Sequence, residues 1–225
     1  LTYRGPDLEL VPGLATEWEE LDDGTRIRFT LREGVTFHNG EPFNAEAVKF
    51  TFDRLLGDEG GQGPQRSNYT AIESVEVIDD YTVDFHLNEP DPVLLTKLAG
   101  YGAMIVPPEY LTEHGDEHFN THPVGTGPFK VVEYNPREDV QLEAFADHWD
   151  GAPKLDEVTY RFISEPSTAV AELQAGRVDI VIPPTIPIGM IETINNHDGA
   201  SIVSVASPTG EAIRFNTQSG ITADE

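Results

Sequence analysis

Cysteine is missing from all 225 residues. That excludes disulfides, a thiolate metal site and a cysteine nucleophile, while leaving the compartment open. Lysine is scarce as well, with only Lys49, Lys97, Lys130 and Lys154. No basic stripe therefore exists to neutralise phosphates, and no nucleic-acid partner is expected. No apolar run approaches the roughly 18 residues that a membrane-spanning helix needs. No serine stands in a nucleophile-elbow pattern, and no carboxylate loop has the spacing of a calcium site. The chain is read as a non-enzyme, with no catalytic residue, no cofactor and no metal ligand assigned.

What is abundant is negative charge. Forty acidic residues face fourteen basic ones, for a net charge of −26. The acids are spread along the chain rather than gathered in a tail, so they dress a surface. Dispersed carboxylates with few lysines fit a halophilic, haloarchaeal protein, whose repulsion is screened by salt. A cation-binding surface is the alternative. Acidic neighbours such as Glu17, Glu19 and Glu20, or Asp79 and Asp80, are then surface groups rather than catalytic pairs.

Hydrophobic periodicity divides the chain near Pro107. Before it, Ile27, Phe29 and Leu31 alternate with polar residues, and the Asp23-Gly24 turn pairs them with Trp18–Leu21. Asn44 caps a helix whose apolar stripe is Val48, Phe52, Leu55 and Leu56, and Gly57 ends it. The glycine-rich segment 58–64 reads as a mobile loop. A second hairpin places Val75 and Val77 opposite Tyr81, Val83, Phe85 and Leu87. After Pro107, strands are expected at Phe129–Val132, Val140–Phe145 and Val158–Ile163. A helix starts at about Pro166, with Ser164 as a possible cap and Gly176 as its end. A buried strand at Arg177–Ile182, a weak helix at Ile188–Asn195 and a strand at Ser201–Val205 complete an α/β pattern.

Several motifs invite a chemical reading. Val124-Gly125-Thr126-Gly127-Pro128 superficially looks like a phosphate loop, but Pro128 removes a donor and a strand follows, so it reads as a crossover between domains. His114, His118 and His122 lie four apart, the spacing that gathers imidazoles on one helix face for a transition metal. Gly115, Asn120 and Pro123 argue against an unbroken helix there, leaving a polar connector as the other reading. His38 and His148 are expected to hold turns by hydrogen bonds, and Trp18 and Trp149 to pack in the core. Asn68-Tyr69-Thr70 has the pattern of a glycosylation sequon.

A spaced series of motifs runs from Gly13-Leu14-Ala15-Thr16-Glu17-Trp18 through Phe29–Val35 and Phe37-His38-Asn39-Gly40-Glu41-Pro42-Phe43 to the helix at Ala45–Leu55. It continues with His122–Phe129, Trp149-Asp150-Gly151 and Arg214-Phe215-Asn216-Thr217. In this order the series resembles extracellular solute-binding protein family 5, the oligopeptide, dipeptide and nickel-binding type of ABC importers.

The resemblance implies an α/β fold: a periplasmic-binding-protein-like (class II) first lobe with an inserted small α+β domain, the second lobe being absent. Residues 1–107 would be the insert and 108–225 the main part of the first lobe, so the chain is expected to be an N-terminal fragment. Impaired binding is expected of such a fragment on its own. The resemblance also implies capture of peptide between lobes and delivery to an ABC permease by a monomer. The full-length parent would be an extracellular, membrane-anchored lipoprotein. Ligand contact would come from Tyr69, from Tyr101, Gly102 and Ala103, and from Thr209, Gly210 and Glu211, with Glu211 facing a peptide amino terminus. A nickel-chelate or sugar receptor of the same fold is the alternative. The nickel branch carries an arginine where Tyr101-Gly102-Ala103 stands, which counts against that chelate. A sensory or regulatory binding module is a further alternative.

Overall fold

The computed structural model describes residues 1–5, 7–57, 65–182, 188–197 and 199–203. The chain forms two compact units, Leu1–Phe162 and Ile163–Glu225. Segment 58–64, and with it the expected loop, lies outside the described residues.

The first unit opens with a short antiparallel ribbon, β1 (Thr2–Arg4) against β2 (Leu10–Pro12). A four-stranded antiparallel sheet follows, built from β3 (Ala15–Leu21), β4 (Arg26–Leu31), β5 (Ile72–Asp79) and β6 (Thr82–Leu87) in the order β3-β4-β6-β5. Both hairpins take the pairing that period-two alternation predicts: Trp18 opposes Phe29, and Val75 opposes Phe85. The first turn runs through Asp22, Asp23 and Gly24, all at positive φ. Aspartate and glycine tolerate that left-handed region better than other residues.

One sheet face is closed by helix α1 (Ala45–Leu56). The Asn44 side chain accepts a hydrogen bond from the Ala47 N–H at 3.1 Å, satisfying one of the otherwise unpaired donors of the first turn. Gly57 ends the helix, its N–H bonded to the Asp53 carbonyl at 2.8 Å. Val48 and Phe52 are fully buried, each contributing about 1.5–3 kcal/mol. The Phe52 ring meets Phe85 edge-on at 4.9 Å, and Phe85 meets Phe29 at 5.1 Å. Leu55 and Leu56 are only half-buried at the rim of this core.

The opposite face carries charge. Arg28 sits directly across from Asp84 in the β4–β6 register. It grips Asp84 with two 2.7 Å hydrogen bonds, while Arg26 adds a third at 2.8 Å. Although Asp84 is only 1% exposed, the hydrogen bonds from Arg28 hold its carboxyl below the usual carboxylate range, with those from Arg26 acting the same way.

Helices α2 (Leu94–Lys97) and α3 (Pro108–Phe119) come next. A three-stranded antiparallel sheet then follows: β7 (Phe129–Asn135), β8 (Asp139–Ala144) and β9 (Glu157–Arg161), in sequence order. In the second unit, α4 (Pro166–Gln174) and α5 (Ile188–Asn195) lie together, with Gln174 Nε2 donating to the Thr193 carbonyl.

Three expectations for the second half need correction. Glu165, not Ser164, is the residue before α4, and no side chain caps that helix; Pro166 in its first turn has no N–H, so one of the donors left unpaired at a helix start is absent there. Arg177–Ile182 forms no strand, and Ile180 and Ile182 are 75% and 80% exposed. Ser201–Val203 is not a strand either, and Ser204 and Val205 lie outside the described residues. A strand exists only when a neighbour takes its hydrogen bonds, and no described segment pairs with either stretch.

Candidate functional site

The segment between α2 and α3 is short, extended and anchored from beneath. Ala103 and Ile105 point into the core, whereas Tyr101 is 78% exposed and Met104 is 65% exposed. This inside-outside alternation is what an extended chain over a core produces. Gly102 adopts a φ of +91°, and an added Cβ would come within 2.6 Å of Gln65 Cβ. Glycine is therefore required both for the backbone and for the space.

Two further contacts fix the segment. The Tyr69 hydroxyl lies 2.8 Å from the Lys97 carbonyl and 2.9 Å from the Tyr101 carbonyl, within reach of both ends of the turn. Burial pushes its pKa up, so the phenol stays protonated and donates. On the far side, the Thr51 hydroxyl of α1 accepts the Val106 N–H at 3.1 Å. Tyr101 and Met104 thus stand on a rigid support, an arrangement suited to holding an apolar or aromatic ligand group.

Met104 also forms one side of a groove of about 270 Å³, whose other walls include His38, Val106, Val124, Gly125 and Phe129. His38 joins two stretches of chain there. Its backbone N–H donates to the Gly125 carbonyl at 2.9 Å, and its Nε2 reaches the Gly127 carbonyl at 2.9 Å. The Gly125 N–H points to His38 Nδ1 at 3.3 Å. A ring that donates at Nε2 and accepts at Nδ1 is neutral. Desolvation lowers its pKa, and Lys130 and His148 add to the effect against the pull of the Gly127 carbonyl. The loop then enters β7 rather than a helix, in keeping with a crossover and not a phosphate cradle.

The sequence-derived ligand residues take different places. Tyr101 is on the surface, with Gly102 beside it. Tyr69 is 1% exposed and Ala103 3%, so both stand behind that surface. Thr209, Gly210 and Glu211 lie outside the described residues. Met104 belongs to no motif, and its place between inward Ala103 and Ile105 is the one sequence signal that marks it.

The aromatic and histidine motifs are also placed. Trp18 packs against the core, and Trp149 stacks on Tyr3 at 6.3 Å with the Arg32 guanidinium 4.4 Å from its ring. The three histidines of α3 and its exit come together despite a kink at Gly115, where φ is +76°. Ring centroids are 4.8 Å apart for His114 and His118, and 4.3 Å for His118 and His122.

Comparison with known proteins places the chain in a family. Residues 9–225 match the family described as bacterial extracellular solute-binding proteins, family 5, middle. The glutathione-binding protein GsiB of Pectobacterium atrosepticum is 35% identical over 212 residues, which is 93% of this chain and 40% of that protein. Among solved structures, AgaA from A. tumefaciens R10, in complex with agropinic acid, superimposes with a TM-score of 0.79. It shares 30% identity, over 88% of this chain and 39% of AgaA. The oligopeptide-binding protein AppA of Bacillus subtilis, in complex with a nonapeptide, gives 0.76 at 30% identity, over 88% of this chain and 40% of AppA.

The fold is therefore the mixed α/β type of periplasmic-binding-protein-like receptors. The chain belongs to the extracellular solute-binding proteins of family 5, and it spans about 40% of the length of the relatives it matches. Proteins of this family are extracellular or periplasmic and typically bind rather than transform their solutes. Among the described residues, no helix is long and apolar enough to cross a membrane.

Proposed function

We propose that this chain is part of the solute-capturing component of an ABC importer and that its solutes are oligopeptides or dipeptides. The observation carrying this reading is the anchored segment that exposes Tyr101 and Met104 over buried Ala103 and Ile105. A preorganised apolar lip binds side chains of varied shape at little entropic cost, and water fills what a small side chain leaves. The peptide reading is supported by relatives named for glutathione and seen with a nonapeptide. Closure around solute by a hinge motion would create the form that a membrane permease recognises.

Thr209, Gly210 and Glu211 belong to this proposal as ligand contacts, with Glu211 facing a peptide ammonium. So does a domain division near residue 107: the buried members of the main core cluster all lie between Leu1 and Ile105, although Val124 and Trp149 pack against it and both sides of 107 belong to the unit Leu1–Phe162. The parent protein would act as a monomer, outside the cell, held by a lipid anchor and without catalysis. Likeness to the agropinic-acid protein favours a second reading, a receptor of the same fold for a small non-peptide solute.

The test is mass spectrometry of solute released by mild denaturation from the full-length protein. Mixed short peptides support the first reading, and a single non-peptide compound supports the second. Titration of the recovered solute then checks the lip: Tyr101→Ala should weaken binding by about tenfold, a typical cost for a contacting aromatic. Unchanged affinity removes Tyr101 from the site.

A further inference from the structure

We propose that Asn68 is an N-glycosylation site, the acceptor for an oligosaccharide transferred from a lipid-phosphate donor outside the cytoplasm. The inference rests on the sequon Asn68-Tyr69-Thr70 and on the extracellular character of the family, and it is independent of which solute is bound. The chain has nine asparagines, and only Asn68 is followed two positions later by serine or threonine with no proline between. The pattern is therefore judged at one place, by whether the fold presents it.

The fold turns it outward. Asn68 ends the short 3₁₀ turn Arg66–Asn68, which lies between α1 and β5. Asn68 and Thr70 are both exposed, whereas Tyr69 between them is 1% exposed, with its hydroxyl committed to the Lys97 and Tyr101 carbonyls. The buried tyrosine pins the turn and leaves on the surface the two residues that define the sequon. The Thr70 carbonyl accepts from Asn88 Nδ2 at 3.4 Å, but among the described residues no hydrogen bond engages the Thr70 hydroxyl. That hydroxyl is the group that distinguishes an acceptor asparagine from any other.

The acceptor atom has a hydrogen to give. An asparagine amide carries two N–H groups. Asn68 Nδ2 donates one of them to Gln65 Oε1 at 2.9 Å, which leaves the other for exchange. In the transfer, the bond between the anomeric carbon of the sugar and the phosphate oxygen of the donor breaks, and a bond from that carbon to Nδ2 forms. The lipid phosphate leaves with the bonding electron pair, and the displaced Nδ2 proton passes to a base of the host transferase. The product amide retains one N–H for Gln65, so the turn keeps its hydrogen bond. A bulky hydrated group is then added where the chain already meets water, and no buried side chain has to move.

The test is peptide mapping by mass spectrometry of the full-length protein recovered from its native host. Trypsin cuts after Arg66 and next after Lys97, so a single peptide carries the sequon together with Asn88, which begins none. The expected result is a mass excess made of sugar residues on that peptide, assigned by fragmentation to Asn68. The excess should vanish in Asn68→Gln and in Thr70→Ala and persist in Thr70→Ser, which keeps the hydroxyl. The backbone bonds of the turn, from the Asn68 N–H to Gln65 and from the Tyr69 N–H to Arg66, use neither side chain, and circular dichroism checks that each variant is folded. An unmodified wild-type peptide overturns the proposal without any variant. So does a sugar mass that maps to Ser67, Thr70 or Asn88, or one that survives in Thr70→Ala.

Discussion

Asp84→Asn removes one charge and almost no volume from the most deeply placed ion pair on the first sheet. Asp84 accepts three hydrogen bonds between 2.7 and 2.8 Å from Arg26 and Arg28. Breaking a buried pair costs about 3–5 kcal/mol, because the surviving charge is left without a partner in low dielectric. Here the arginine side chains are 26% and 38% exposed, so water screens what remains. The asparagine carbonyl also still accepts one of the three bonds. Both effects reduce the expected loss to about 2 kcal/mol. For a chain of this size that lowers Tm by about 4–8 °C.

Urea unfolding at neutral pH measures the loss directly, and acid tests its origin. Asp84 has a lowered pKa when folded. Its contribution is complete above the unfolded value near 4 and disappears as pH falls through the folded value. The gap between wild type and Asp84→Asn should therefore narrow progressively as pH falls below the unfolded value and through the lower folded one. A gap under about 0.5 kcal/mol at neutral pH, or one that survives in acid, would refute the electrostatic account.

Asn44→Ala should cost about 1 kcal/mol by removing the α1 cap, seen as a lower urea midpoint with an unchanged slope. Gly102→Ala should cost about 1–3 kcal/mol, since alanine meets both a disfavoured φ and the Gln65 side chain; chemical denaturation that shows no loss would contradict the described turn. His38 has a lowered folded pKa, so its contribution is intact above about pH 6.5 and is lost as pH falls through the folded value. The stability difference between wild type and His38→Gln should accordingly shrink as pH falls below the unfolded value of about 6.5, and a constant difference would exclude titration of His38 as the cause. Melting in molar potassium chloride should occur well above melting at about 0.1 M, because the Debye length falls from about 10 Å to 3 Å; equal values would remove the halophilic reading of the −26 charge.

How much of this was legible in the chain depends on how local each cause is. Ile27, Phe29 and Leu31 announce a half-buried strand because alternation needs no distant partner, and Asn44 announces a helix start because its hydrogen bond spans three residues. Asp84 lies between Val83 and Phe85 and so escapes notice; its burial comes from arginines 56 and 58 residues away. Ile180 and Ile182 read as a buried strand, but burial of a strand depends on neighbours that sequence spacing does not provide. Gly115 argues against an unbroken helix through the histidines, and the chain does leave helical geometry there, at a φ of +76°; that helical bonding resumes beyond the kink is what spacing alone does not reveal.

The same distinction separates contact from support at the Tyr101 lip. Sequence treats Tyr69, Tyr101, Gly102 and Ala103 alike, as residues a ligand would touch. The structure gives Tyr101 the open surface and assigns Tyr69 to the turn beneath it, through its bonds to the Lys97 and Tyr101 carbonyls. Loss of a contacting side chain removes interaction energy with the solute and leaves the fold intact. Loss of the Tyr69 hydroxyl removes the one O–H that the Lys97 and Tyr101 carbonyls share, although the Lys97 carbonyl keeps the Gly100 N–H, and it loosens the turn, so affinity falls together with stability. A ligand-binding surface built in this way requires more of the chain than the ligand touches. Its hidden members are recognised by what their polar atoms already hold, which is a property of the fold and not of the motif.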